Sequence, residues 1–392
     1  MINVKESTFL KSFLSVFVIT LMISVSTTAP LVSGTSDSWN ITKLKTQLPS
    51  AIFRASLVWT GTKAYIFSGR TDGGEVDTIL QFDPSTGKVT TKGAHLNMGR
   101  TKAAAAWVSP YAYIFGGTNM TTTLNDVLRY DPATDTLEVM PFKMPFSRVG
   151  LTAVSVGDSI ILMGGRNDTA YMSPLLRFYP SNESFVNLPA PQIQGGGRTS
   201  VISGDQVYTF GICPNAPDIT VLDVDPYSGN SHKVEVGPYP RFYWASSAWT
   251  GSSALIFGGD NYSAALDQFL EFTPSANGTS VIKSVGKLPA PNEDGVAFYD
   301  QNNQKAYLLG GRGVKLATKD ILEFSRTTKT ATVEVSPERA LLVLGLMGFT
   351  IAVVLLQFRF QSPDRDAGTA DRPIPKPLKP AAPLRTDKNQ KK

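Results

Sequence analysis

The stretch YAYIFGG (residues 111–117) decides how this chain is read, because five close variants of it occur elsewhere in the 392 residues. They are KAYIFSG (63–69), SIILMGG (159–165), QVYTFG (206–211), SALIFGG (253–259) and KAYLLGG (305–311). The last shared glycines, Gly69, Gly117, Gly165, Gly211, Gly259 and Gly311, stand 48, 48, 46, 48 and 52 residues apart. Thirteen residues after each comes Phe82, Tyr130, Phe178, Val224, Phe272 or Phe324, and two positions later Pro84, Pro132, Pro180, Pro226, Pro274 or, as the one departure, Arg326. A period this regular is interpreted before any single residue is given a role.

Each unit holds four short runs rich in Val, Ile, Phe, Tyr and Leu, bounded by Gly, Pro, Asp and Asn. That is the signature of strands joined by tight turns. The glycines supply a backbone without Cβ at the end of the second strand, where a turn or a close neighbour requires it. One four-stranded sheet cannot cover both of its faces. Six stacked radially cover one another, so the expected fold is all-β, a six-bladed propeller over residues 39–336.

The Gly-Gly step, the aromatic thirteen residues on and the unit length resemble kelch repeats. The resemblance implies a kelch-type β-propeller, a fold shared with galactose-oxidase-like proteins. The tryptophan usual in the fourth strand is absent: Val89, Leu137 and Phe185 occupy that region, while Trp59, Trp107 and Trp249 fall in the first strand. Closure of the ring has two candidate outer strands, one near Trp39 to Leu44 and one at 331–335. The C-terminal run is expected to complete the last blade, with the N-terminal run alongside or in its place.

The ends carry a different message. Lys5 and Lys11, an apolar run at 13–25 and the small or compact residues Val32, Ser33 and Gly34 read as a signal peptide over 1–34. Residues 340–356 contain no charge and as a helix would span ~26 Å, near the short limit for a bilayer. With Phe358 this gives a transmembrane segment at 340–358. The following tail, 359–392, holds nine Lys or Arg against four Asp, which orients it to the cytoplasm. The expected arrangement is a single-pass type I membrane protein, its propeller extracellular or lumenal. The tail is Pro-rich and polar, the composition of a disordered segment. Pro380, Pro383 and Arg385 have the spacing of an SH3 ligand, although a solvated tail with incidental prolines fits as well.

The formal charge of +5 belongs to that tail. Residues 35–338 hold 25 basic against 27 acidic side chains, so no nucleic-acid surface is indicated. Cys213 is the one cysteine, read as a small loop residue. Six N-x-Ser/Thr sequons, at Asn40, Asn119, Asn167, Asn182, Asn261 and Asn277, predict a glycoprotein. Asn119, Asn167 and Asn261 follow their repeat glycine by two residues, in the loop between strands two and three. That loop shares a rim with the connections between blades, the rim where the kelch resemblance implies partners bind.

Arg54, Arg100, Arg148, Arg198 and Arg241 lie in inter-blade segments of this rim, and Arg70, Arg166 and Arg312 beside repeat glycines. Two roles fit them. They could form a basic central mouth for an acidic peptide or glycan, or brace carbonyls and acids between blades, the more ordinary role for buried arginine. Catalysis finds little support. The copper site of galactose-oxidase-like enzymes needs histidines and a tyrosine crosslinked to cysteine, whereas His95 and His232 fall in different repeats, and a Ser–His–Asp set would need one of the same two. No metal site, cofactor or catalytic residue is therefore expected. The expected function is non-catalytic binding of an unknown extracellular protein or glycan, the alternative being a carbohydrate-active propeller enzyme, of oxidase or hydrolase type.

Overall fold

The computed structural model describes residues 35–330, except 173–174, 190–194, 212–218, 238 and 276–278, together with scattered helical residues between 345 and 356. The signal segment 1–34, most of 340–358, the tail with Pro380, Pro383 and Arg385, Cys213 and Asn277 lie outside the described residues. Among the described residues no helix is long and apolar enough to cross a membrane. One compact unit spans Thr35–Thr330.

That unit contains six four-stranded antiparallel sheets. Blade one runs Ser56–Trp59, Ala64–Phe67, Thr78–Asp83 and Lys88–His95. Blade two runs Ala104–Val108, Tyr111–Phe115, Asp126–Asp131 and Thr136–Lys143. Blade three runs Val149–Val156, Ser159–Arg166, Leu175–Tyr179 and Ser184–Leu188. Blade four runs Thr199–Ser203, Gln206–Gly211, Thr220–Val224 and Ser231–Lys233. Blade five runs Ser246–Trp249, Ala254–Phe257, Gln268–Thr273 and Val281–Lys287. Blade six takes Val296–Asp300, Lys305–Leu309 and Ile321–Thr330 from the end of the unit and its outer strand, Thr35–Lys43, from the beginning.

Stacking explains the sequence period. The second strands of blades one and five are buried at every position, since both of their faces meet a neighbouring sheet. The side chain thirteen residues after each repeat glycine is fully buried in all six blades. It reaches back onto the second strand of the preceding blade. Tyr130 meets Phe67 at 5.6 Å, Phe178 meets Phe115 at 5.5 Å, Phe272 meets Phe210 at 5.1 Å, Phe324 meets Phe257 at 4.7 Å and Phe82 meets Tyr307 at 5.4 Å. Such edge-on or tilted pairs contribute about 0.5–1.5 kcal/mol beyond their burial. The apolar core is accordingly six clusters, one between each pair of adjacent blades.

The repeat glycine locks the blades in register. Gly117 donates its N–H to Arg148 O of the next blade at 2.8 Å, at φ 90°, and a Cβ there would lie 2.7 Å from Thr101 O. Gly69 does the same to Arg100 O, Gly165 to Gly195 O, Gly259 to Asn292 O and Gly311 to Ile52 O. Only glycine allows this approach.

Ring closure differs from expectation. The outer strand of blade six is the N-terminal run, paired antiparallel with the third strand from Thr35 opposite Thr330 to Lys43 opposite Leu322. The reason lies at Arg326. The other blades have proline there, within the turn that reverses the chain into its own fourth strand. Without that proline the third strand runs straight to Thr330, and its free edge is filled from the other end of the unit. Trp39 packs edge-on against Phe269 at 5.7 Å with the Arg326 guanidinium over its ring at 5.5 Å, and Lys43 pairs with Asp320 at 2.7 Å. Thr35 and Thr330 meet at the rim opposite the two–three loops.

Candidate functional site

The inter-blade segments converge on the axis, where one residue of each adopts a left-handed backbone: Arg54 (φ 57°), Lys102 (54°), Gly150 (69°), Gly197 (73°), Trp244 (56°) and Asp294 (56°). Their amides close a circle. Lys102 N donates to Arg54 O at 2.9 Å, Gly150 N to Lys102 O at 2.9 Å and Gly197 N to Gly150 O at 3.2 Å. Trp244 N donates to Gly197 O at 2.8 Å, Asp294 N to Trp244 O at 3.0 Å and Arg54 N to Asp294 O at 2.8 Å. A non-glycine residue in this region costs of order 1 kcal/mol. The closed belt holds all four of them there and fixes where their side chains start.

Those side chains fill the mouth as two pairs. Arg54 Nε donates to Asp294 Oδ2 at 2.9 Å, with the carboxylate nearly buried. Trp244 lies over Gly150 and Gly197, and a Cβ on either would stand 2.8 Å from the indole. The Lys102 ammonium sits 3.4 Å above the Trp244 ring centroid. Burial, opposed by Asp294 and reinforced by Arg54, pushes Lys102 down to about 8 from 10.5.

Above them opens a cavity of about 610 Å³. Its floor includes Arg54, Lys102, Val149, Gly196 and Trp244, and its walls are the two–three loops of blades two (Thr118 to Thr123) and three (Arg166, Asp168, Tyr171), with Tyr243 and Tyr262 from blade five. Thr123 Oγ1 donates to Asp168 Oδ1 at 2.5 Å, joining the first two loops. Aromatic rings continue outward from the floor: Trp244 to Tyr243 at 6.1 Å and Tyr243 to Tyr262 at 4.3 Å, with Arg241 5.4 Å over Tyr262. Burial, with a hydrogen bond to Asp260, raises the Tyr243 phenol above its usual range, so it stays a neutral donor.

The rim beyond is unusually apolar. Met98, Met120, Phe146, Tyr171, Tyr262, Val314 and Leu316 are all exposed there, whereas Tyr227 is the one large apolar side chain exposed in the turns of the opposite rim among the described residues. Met120 and Tyr262 also hold left-handed backbones, at φ 70° and 74°, each fixed by a side-chain oxygen two residues back, Thr118 Oγ1 at 3.1 Å and Asp260 Oδ1 at 2.5 Å.

The eight arginines separate by environment. Arg100, Arg148 and Arg198 are buried and brace the blades. Arg100 donates to Gly116 O (3.1 Å), Asn97 Oδ1 (2.6 Å) and both oxygens of Asp126 (2.7 and 2.8 Å). Arg148 reaches Gly164 O at 3.4 Å and Arg198 reaches Thr220 O at 3.1 Å. Desolvation lowers the Arg148 guanidinium to about 10, still charged at neutral pH. These three are sealed from any ligand at the mouth. Arg70 pairs with Glu75 and Arg312 with Glu293. Only Arg54 and Arg166 line the cavity, Arg241 standing exposed beside it. Lys102, Trp244, Tyr243 and Tyr262 were not singled out by their residue types. The signal was the repeat itself: Lys102 follows Arg54 by 48 residues, in the column that builds the belt.

Asn119, Asn167 and Asn261 stand on the cavity rim, Asn40 is exposed on the outer strand of blade six and Asn182 in the strand three–four turn of blade three. His95 and His232 lie in the outer strands of blades one and four, each beside one aspartate, Asp77 at 3.3 Å and Asp223 at 3.6 Å. No cluster of metal-ligating side chains occurs among the described residues.

Residues 26–212 match the family described as the KLHDC2/KLHL20/DRC7 Kelch-repeats domain. Over those residues the propeller is built of kelch repeats. The ring is similar in fold to the solved structure of YjhT, at 16% sequence identity and a TM-score of 0.61, over 72% of this chain and 99% of that one. No curated protein sequence matches the chain. The architecture suits a protein-binding scaffold module.

Proposed function

We propose that this kelch propeller is a non-catalytic binding module, displayed on the extracellular or lumenal side of a membrane and tethered by the apolar segment 340–358. Its mouth takes an acidic group carried by a protein or glycan partner. The likeness to galactose-oxidase-type propellers is read as one of architecture. The observation that carries the proposal is the Lys102 ammonium: it lies on the cavity floor against an aromatic face and makes no hydrogen bond among the described residues. Its donors are unspent, with Arg166, also without an ion pair among the described residues, on the wall above. An anion entering here would find charge-assisted donors in a low-dielectric site, where they are worth most. The exposed apolar rim supplies a contact area for the remainder of the partner. The tail, with Pro380, Pro383 and Arg385, supplies a cytoplasmic SH3-type contact in this reading.

The test uses full-length protein in detergent on arrays of acidic and neutral peptides and glycans, beside Lys102→Met and Arg166→Gln variants. Selective, salt-sensitive retention of acidic members is expected, lost in both variants while each still unfolds cooperatively as a folded protein. Retention that ignores charge, or that survives Lys102→Met, overturns the proposal.

A further inference from the structure

Three sequons stand where they control the approach to Lys102. Asn119, Asn167 and Asn261 occupy one position in the two–three loops of blades two, three and five, and the next residue of each, Met120, Asp168 and Tyr262, lines the cavity. All three use their side chains identically. Asn119 Oδ1 accepts N–H from Thr121 (3.2 Å) and Thr122 (2.9 Å), Asn167 Oδ1 from Thr169 (2.9 Å) and Ala170 (2.7 Å), and Asn261 Oδ1 from Ser263 (3.1 Å) and Ala264 (3.0 Å). The hydroxyls of Thr121 and Thr169, which complete their sequons, donate to the same oxygen at 2.8 and 3.0 Å. The loop thus consumes the oxygen and leaves Nδ2, the atom that carries an N-linked sugar. Nδ2 of Asn119 has a contact of 3.8 Å to Met98 Sδ, and those of Asn167 and Asn261 make no hydrogen bond among the described residues. The two–three loops of blades one, four and six carry no sequon.

We propose that N-glycans on Asn119, Asn167 and Asn261 fence the mouth on three sides, so that only slender groups reach Lys102. A glycan is bulky and hydrated, and three of them around a cavity of about 610 Å³ exclude a folded surface from those sectors while leaving the axis open. The inference rests on the lumenal placement proposed above.

The experiment takes full-length protein from membranes of a glycosylating cell and releases its N-glycans enzymatically under native conditions, which converts each occupied asparagine to aspartate for peptide mass spectrometry. Lys102, kept nucleophilic by its burial, then reports access: its acylation is timed with a small acetyl ester and with a polymer-linked ester, before and after release. Conversion at all three rim positions is expected. The small reagent should react at the same rate throughout, and the polymer reagent severalfold faster once the glycans are removed. Conversion at Asn40 and Asn182 with Asn119, Asn167 and Asn261 unchanged overturns the fence and leaves lumenal placement standing. Conversion at no sequon overturns both. Full occupancy with an unchanged polymer rate overturns the fence alone.

Discussion

Lys102 is a base held where its charge is poorly solvated, and this makes a signed prediction. Below about pH 8 both folded and unfolded chains carry the proton, so the cost of burying the charge is constant. Between about 8 and the ordinary 10.5 the folded chain releases the proton while the unfolded chain keeps it, and the stability contributed by this residue rises with pH. Thermal unfolding of wild type and Lys102→Met across that window should show wild type gaining on the variant. A constant gap would mean that the amine titrates normally. Arg100 poses the opposite problem, a buried charge that is well paired. Arg100→Met strands the Asp126 carboxylate and should cost about 3–5 kcal/mol in denaturant unfolding. Arg100→Met with Asp126→Leu removes both charges and should recover part of the loss. If the double variant is worse than the single, the pair itself is the stabilising element.

At the level of elements, the repeat column is informative where geometry repeats and silent where it does not. The burial of Phe82, Tyr130, Phe178, Phe272 and Phe324 follows from a period alone, because every blade presents the same face to the blade before it. The closing strand was legible in one letter, Arg326, whose meaning is what it prevents: a turn. Choosing between the N-terminal and C-terminal runs required knowing which free edge lay beside which run, a relation between residues some 290 apart. The arginines kept two possible roles in the sequence for a related reason. Arg54 belongs to the belt column, Arg100 and Arg148 to the bracing column two residues earlier, and residue type does not reveal which column faces the axis. Tyr262 and Met120 required the loop backbone, fixed by hydrogen bonds that no spacing encodes. Arg326→Pro would restore the letter found in the five other repeats, yet here it falls inside a continuous strand opposite Trp39. A proline inside a paired strand cannot donate to the ladder and belongs only at edges or bulges, so denaturant unfolding should show a loss of about 1–3 kcal/mol for the stranded partner, together with exposure of the outer edge of blade six. A neutral result would show that the N-terminal strand does not hold the ring closed.

For the whole molecule the question is where a ring of six seams opens first. Closure by a strand from the far end of the unit makes blade six the intuitive weak point, since no hairpin connects Thr35–Lys43 to its neighbour. The packing argues otherwise. The seam between blades five and six buries Phe257, Phe269 and Phe324 with Trp39 against them, and Lys43 and Gln47 both hold Asp320, at 2.7 and 2.9 Å. Among the described residues, the seam between blades three and four has no aromatic ring in its core. Val224 stands where the other blades place Phe or Tyr, against Ile161 and Met163. The belt crosses this seam through Gly150 and Gly197 with its longest bond, 3.2 Å, and blade four has the shortest outer strand, Ser231–Lys233. Each missing aromatic pair forfeits about 0.5–1.5 kcal/mol beyond its area, so the cheapest sub-global opening lies here. Native-state hydrogen exchange should find the amides of Thr220–Val224 exchanging ahead of those of Ala64–Phe67 and Lys305–Leu309, although all three are interior strands. Faster exchange in blade six would return the weak point to the noncovalent closure. Because Gly150 and Gly197 also seat Trp244, opening this seam would loosen the floor under Lys102, and a ligand anchored on that amine should slow exchange in Thr220–Val224 from across the blade.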